Sequence, residues 1–282
     1  MRSAVVALLA LLATAASVVA ADETARQILD RRRELDQTTR RWTDRYQEMS
    51  LTISDGASDR QRTLESYERR YPAGESKSLV IFTGPADVRG TGLLAVSHTG
   101  RPADQWLYVP ATQRTRQITA QSRDQSFAGT DLTYSDLDLL SSMLDWTEAD
   151  ATSSLLRHET IDGVDCHVIA LEPKRADVGY GRIVVWLGRD DLVPRQVEFY
   201  RKAEGGGWLG LGSAGASAND VPARRIRQSD VREVGRVPVA HRLIVESPEK
   251  KTNTDIRLSG IRIDAGIDDD VFTRRRLERG AD

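Results

Sequence analysis

The chain is short of cysteine, of histidine, of long apolar runs and of any charge surplus, and each shortage closes off a class of protein. One cysteine in 282 residues leaves no intrachain disulfide framework and no zinc site built on several thiolates. The four histidines, His98, His158, His167 and His241, show neither metal-ligand spacing nor an HExxH pattern. Lys+Arg 40 against Asp+Glu 42 gives a net charge of −2, so nucleic acid is not expected as a partner. No nucleophile-elbow GxSxG and no phosphate-binding GxxxxGK[ST] occurs. Gly210 to Gly215 formally matches GxGxxG, but no apolar strand precedes it and Gly205-Gly206-Gly207 lies just before. It reads as an accident of a glycine-rich stretch. Carboxylates are plentiful without a recognisable catalytic pairing. The residues therefore point to no enzyme, no metal and no cofactor.

The apolar run that does occur is at the start. Arg2 precedes a stretch from Ala4 to Ala16 that is apolar apart from Thr14, and Val18-Val19-Ala20 supplies small residues for cleavage. A membrane span needs about 20 apolar residues; this run is shorter, and Asp22 and Glu23 follow it. Residues 1–20 are expected to be a cleaved export signal, with 21–282 a single soluble domain in an extracytoplasmic space. No cysteine follows the cleavage region, so a lipid-anchored form is not expected. Cys166, in the run Val164-Asp165-Cys166-His167-Val168-Ile169, is expected to be a buried thiol in a strand rather than a nucleophile.

The period of the apolar residues gives the fold class. Thr24 and Gln27 form a capping-box signature ahead of Ile28, Leu29 and Leu35, which predicts an amphipathic helix to about Arg41. From Met49, Leu51 and Ile53 the period becomes two, and strand-like segments separated by short turn signals follow through Trp106 to Val109 and Arg114 to Thr119. A second helix starts at Thr133-Tyr134-Ser135-Asp136, with Leu137, Leu140 and Leu144 on one face. Strands then resume from Leu155 to Ile263, with Asp162-Gly163 as a two-residue hairpin turn and Gly260 as a bulge. Such short connections allow antiparallel neighbours and no crossovers. The expectation is about ten or eleven strands in a curved, unclosed antiparallel β-barrel covered by helices, with a flat sandwich as the rival.

Three segments carry more than secondary structure. They are Gly84-Pro85-Ala86-Asp87-Val88-Arg89-Gly90, Trp106-Leu107-Tyr108-Val109-Pro110 with Arg114 and Arg116 after it, and Ser126-Phe127-Ala128-Gly129-Thr130-Asp131-Leu132-Thr133-Tyr134-Ser135-Asp136-Leu137. On the second, Trp106 and Tyr108 face one side and Leu107 and Val109 the other. Both faces are apolar, so the strand is either a central core strand or has one face on a cavity.

These segments resemble the outer-membrane lipoprotein-sorting protein family, relatives of the periplasmic lipoprotein carrier of Gram-negative bacteria. The likeness is specific from about Leu79 to Leu137 and looser to about Thr273. It implies an unclosed antiparallel barrel with a concave apolar face lidded by helices. It also implies a carrier of lipids or lipoproteins, through their acyl chains, working with an inner-membrane transporter of the resistance-nodulation-division type and touching membranes only transiently. Trp106, Tyr108, Phe127, Tyr134 and Leu137 are then the candidate cavity or lid contacts. Arg89, Arg114 and Arg116 are candidates for the cavity mouth, or for structural ion pairs with Asp131 and Asp136.

One stretch departs from that family. The glycine-rich insertion at about 203–220 replaces a short hairpin turn, and Trp208, Leu209 and Leu211 within it are either part of a surface loop or a docking element for a membrane or transporter. The basic run Arg274-Arg275-Arg276-Leu277-Glu278-Arg279 is expected to be a solvated tail.

Overall fold

The alternating pattern becomes one antiparallel sheet of thirteen strands in the computed structural model, which describes residues 23–72, 74–202 and 221–280. Helix α1 (Ala25–Gln37) comes first, capped by Thr24 and Gln27 in a reciprocal capping box. Six strands follow: β1 (Asp44–Ser54), β2 (Asp59–Arg70), β3 (Ser76–Gly84), β4 (Gly92–His98), β5 (Arg101–Val109) and β6 (Arg114–Gln117). A strap from Ile118 leads into helix α2 (Tyr134–Ser142), whose Thr133 cap is again a capping box, closed by Asp136. Seven strands complete the sheet: β7 (Ala151–Ile161), β8 (Val164–Pro173), β9 (Tyr180–Gly188), β10 (Pro194–Arg201), β11 (Arg224–Val234), β12 (Val237–Ser247) and β13 (Thr252–Ile263). A short helix α3 (Arg274–Arg279) closes the described chain.

The strand order is β6-β5-β4-β3-β2-β1-β13-β12-β11-β10-β9-β8-β7. Every neighbour except the β1–β13 pair is adjacent in sequence, and the two edges, β6 and β7, do not pair. The barrel is unclosed, as the resemblance implies, with two or three more strands than the sequence pattern suggested. Asp162 and Gly163 both take positive φ, +48° and +79°, and turn β7 into β8 with Ile161 opposite Val164. Gly260 has φ +58°. There two steps along β1, from Tyr46 to Glu48, match three along β13, from Arg262 to Ser259, so the bulge lies on β13.

The sheet separates two apolar layers. On the concave side, Leu51, Leu64, Phe82, Leu93, Leu107, Ile169, Ile183, Val185, Val197, Phe199, Ile226 and Val245 form one continuous core with α1, the strap and α2. On the convex side, Leu79, Ile81 and Leu94 pack against Phe272 and Leu277. The C-terminal basic run is thus a helix rather than a solvated tail: Leu277 is fully buried, and burying it anchors an otherwise charged turn. No helix among the described residues is long and apolar enough to cross a membrane. Residues 1–20 and the 203–220 insertion, with Trp208, Leu209 and Leu211, lie outside the described residues.

Candidate functional site

The candidate site is the concave face together with the segment that covers it. A nine-residue helix such as α2 is marginal by itself, so its place depends on packing and on polar ties. The packing comes from Phe127, Leu132, Tyr134, Leu139, Met143 and Trp146, all buried in the main core. Phe127 sits at the centre, its ring 5.5 Å from Phe82 on β3 and 5.9 Å from Tyr134. Leu137 packs half-buried against the same core. Helix α1 adds Ala25, Ile28 and Leu29 and is fastened to the far end of the lid: Arg26 and Arg33 both donate to the Trp146 carbonyl, at 3.0 and 2.9 Å.

The polar ties lie at one rim of the sheet. The register puts the ends of β1, β3, β5, β8, β10 and β12 and the starts of their partners at that rim. On β13 and β11 the apolar residues of the inner face give way to polar ones as the rim is reached: Ile256 to Thr254 and Thr252, and Ile226 to Arg224. The strap meets these groups. Asp131 accepts hydrogen bonds from the hydroxyls of Thr252 and Thr254, the latter at 2.8 Å. Asp136 is fully buried. It accepts from the Tyr180 hydroxyl at 2.6 Å and from the Thr133 amide at 2.8 Å, and the Arg224 Nε lies 3.6 Å away. Burial, followed by the Asp136 charge, drives the Tyr180 phenol far above its usual range, so Tyr180 remains a donor at any ordinary pH. Farther along α2, Asp138 accepts from the Ala103 amide at 3.1 Å and pairs with Arg123 at 3.3 Å.

The residues singled out from the sequence divide into two groups. Phe127, Tyr134, Leu137, Asp131 and Asp136 meet in the lid. Trp106 and Tyr108 do not: they belong to the convex layer under α3, with the Arg274 guanidinium 4.7 Å from the Trp106 ring. The alternation on β5 is as read, but it is Leu107 that reaches the concave core. Asp131 and Asp136 find threonines, Tyr180 and Arg224 rather than Arg89 or Arg114. Arg89 is exposed in the turn between β3 and β4, and Arg114 and Arg116 are exposed on edge strand β6. Arg116 lies near the Tyr134 hydroxyl, where it opposes the upward push that burial gives that phenol. Tyr180, Arg224, Thr252 and Thr254 were missed: they lie 44 to 123 residues from their partners, and no local pattern announces such a contact.

The interior is filled. A hollow was expected beneath the helices; instead the lid's own side chains occupy the concave face. One hollow of about 560 Å³ lies on the convex side, a groove over Trp186, Glu198 and Arg225. Its charges are mutually satisfied, Arg225 with Glu198 at 2.7 Å and Arg157 with Glu159 at 2.7 Å.

A wide unclosed antiparallel sheet, wrapped around helices that rest on its apolar concave face, defines the class as an open-barrel fold of the lipoprotein-sorting kind. A family model described as an uncharacterized protein matches residues 74–205 and 213–279, well over half of the chain. The chain belongs to that family. Among solved structures, it is similar to a DUF1329 family protein from Desulfovibrio piger, with 26% identity, TM-score 0.77, and 90% of this chain and 98% of that one covered. It is also similar to a protein described as an outer membrane lipoprotein-sorting protein domain from Vibrio parahaemolyticus, with 23% identity, TM-score 0.76, and 90% and 98% covered. A LolA superfamily protein from Nitrosomonas europaea aligns at 18% identity and TM-score 0.62, over 90% and 99%. No curated protein matches the chain.

Proposed function

We propose that the protein is a periplasmic carrier that binds acyl chains of lipids or lipoproteins on its concave face and moves them across the cell envelope, in partnership with an inner-membrane transporter of the resistance-nodulation-division type. The observation that carries this reading is the concave face itself: apolar across the width of the sheet, and covered by a lid held at its margin by side-chain hydrogen bonds. The export signal expected at residues 1–20 supports the compartment, and the names of the Vibrio and Nitrosomonas relatives support the cargo class.

Magnitudes decide how such a carrier works. Transferring an acyl chain out of water gains about 0.8 kcal/mol per methylene, so a chain of roughly a dozen methylenes gains about 10 kcal/mol. Five or six displaced lid side chains give up about 1.5–3 kcal/mol each. The two are comparable, so cargo exchanges for lid without a large preference for either. That balance is what loading and release both require. Binding is therefore competitive with the lid rather than a filling of empty space.

The filled interior favours one other reading, a non-catalytic accessory subunit of an envelope export complex with no lipid cargo. Two measurements on natively purified protein separate them: mass spectrometry of extracted lipid, and titration with a fluorescent fatty acid. The carrier reading expects copurified lipid or saturable binding; absence of both favours the accessory subunit.

A further inference from the structure

At the rim, where the strap crosses β1, β2 and β13, lies a small and comparatively enclosed hollow of about 180 Å³. Its walls separate two kinds of group. Ile53 is apolar and buried, while Arg60, Arg224 and Lys250 bring three cations to the same space. Three carboxylates also border it, but each is already engaged. Asp131 accepts both threonine hydroxyls. Asp55 accepts the backbone amides of Ala57 and Ser58 at 3.0 and 2.9 Å, which hold its carboxyl below the usual range. Asp124 accepts from the Ser135 hydroxyl at 3.3 Å.

The cations are less committed. Among the described residues, Lys250 makes no ion pair within 4 Å; nor does Arg60, although its charge helps to hold the Asp55 carboxyl down. Arg224 is 6% exposed; its Nη1 donates to the Ala223 carbonyl at 2.7 Å, and its buried Nε makes no hydrogen bond, lying 3.6 Å from the Asp136 carboxylate that shares its charge. A guanidinium has five N–H donors, and a buried one left unused invites an acceptor. The same strap faces both ways: Phe127 and Leu132 enter the apolar core while Gly129 and Thr130 line the hollow.

We propose that this hollow is a headgroup subsite that takes the anionic group, a phosphate ester or a carboxylate, of an amphiphile whose tail lies on the concave face. The inference rests on the carrier reading and deepens it: cargo is selected by charge at the rim as well as by apolar burial. Arg60 and Lys250 reach the anion from the exposed side, and Arg224 from the buried side. Charge-assisted hydrogen bonds of this kind are short and strong when solvent is partly excluded.

The test compares two fluorescent probes with the same labelled acyl chain, a lysophosphatidic acid and a neutral monoacylglycerol, on the full protein and on Arg60→Gln/Lys250→Gln. Both substituted residues are exposed, so the variant keeps its fold. The expected result is about tenfold tighter binding of the phosphate probe, the size of one charged hydrogen bond, with the difference reduced in the variant to what Arg224 alone supplies and the neutral probe unaffected. Equal affinity of the two probes, or a preference undiminished by both substitutions, overturns the subsite and leaves the carrier reading standing. Binding of neither probe overturns both. Inorganic phosphate separates the two sources of such an anion. Weak competition against the phosphate probe alone supports a headgroup site. Binding of inorganic phosphate as tight as that of the phosphate probe assigns the hollow to free phosphate and contradicts it.

Discussion

Asp136 does two jobs at one position. It caps its own helix, and it is the buried acceptor for Tyr180 and a neighbour of Arg224. The first role is visible in the sequence, because Thr133 followed three residues later by Asp136 is a local signature. The second is not, because it depends on strands far along the chain. Removing the charge of a buried, paired carboxylate costs about 3–5 kcal/mol, whereas removing one hydroxyl donor costs about 1 kcal/mol. Asp136→Asn should therefore lower the midpoint of chemical unfolding considerably more than Tyr180→Phe, and both should speed the uptake of a fluorescent fatty acid by loosening the lid. His167 supplies a pH prediction. Burial lowers its pKa below 6.5, aided by His158, Arg189 and Arg31 and opposed by Glu23; the His158 ring lies 5.1 Å away. The unfolded chain then takes up the proton first as pH falls, so the contribution of His167 to stability is full above about 6.5 and declines below it. Denaturation between pH 7 and 5 should show a loss of stability that is smaller in His167→Gln. Cys166 is fully buried and burial pushes its thiol upward. It should react with a thiol reagent only after unfolding, which a timed thiol titration would reveal.

At the scale of elements, the strands were legible because a period of two survives wherever one face is buried and the other is not. Helices α1 and α2 were legible from their caps. Helix α3 was not, because Leu277 is its one fully buried apolar side chain amid five charged residues, and its partners lie on a face of the sheet that the sequence does not mark. The same blindness misassigned Trp106 and Tyr108: alternation tells which residues share a face, not which face is concave. The two layers should separate by mutation. Trp106→Ala removes packing beneath α3 and should cost about 3 kcal/mol without altering fatty-acid affinity. Met143→Ala, in the lid, should cost a similar amount of stability and change affinity as well. Equal behaviour of the two variants in a binding titration would mean that the layers are not functionally distinct.

For the whole molecule, the open-barrel architecture followed from short connections and from the absence of crossover helices. The filled interior did not, because volume matching between lid and sheet is a property of the packed state alone. The lid is joined to the sheet through fewer backbone hydrogen bonds than the strands share with one another, so its amides belong to the less protected part of the molecule. Hydrogen exchange followed by mass spectrometry, with and without a saturating fatty acid, reads this directly. If cargo replaces the lid on the concave face, residues 127–146 exchange faster when the ligand is bound, while the inner strands β8 to β10 stay protected. Ligand that binds with no change in exchange at 127–146 would contradict the exchange of lid for cargo on which the carrier reading depends.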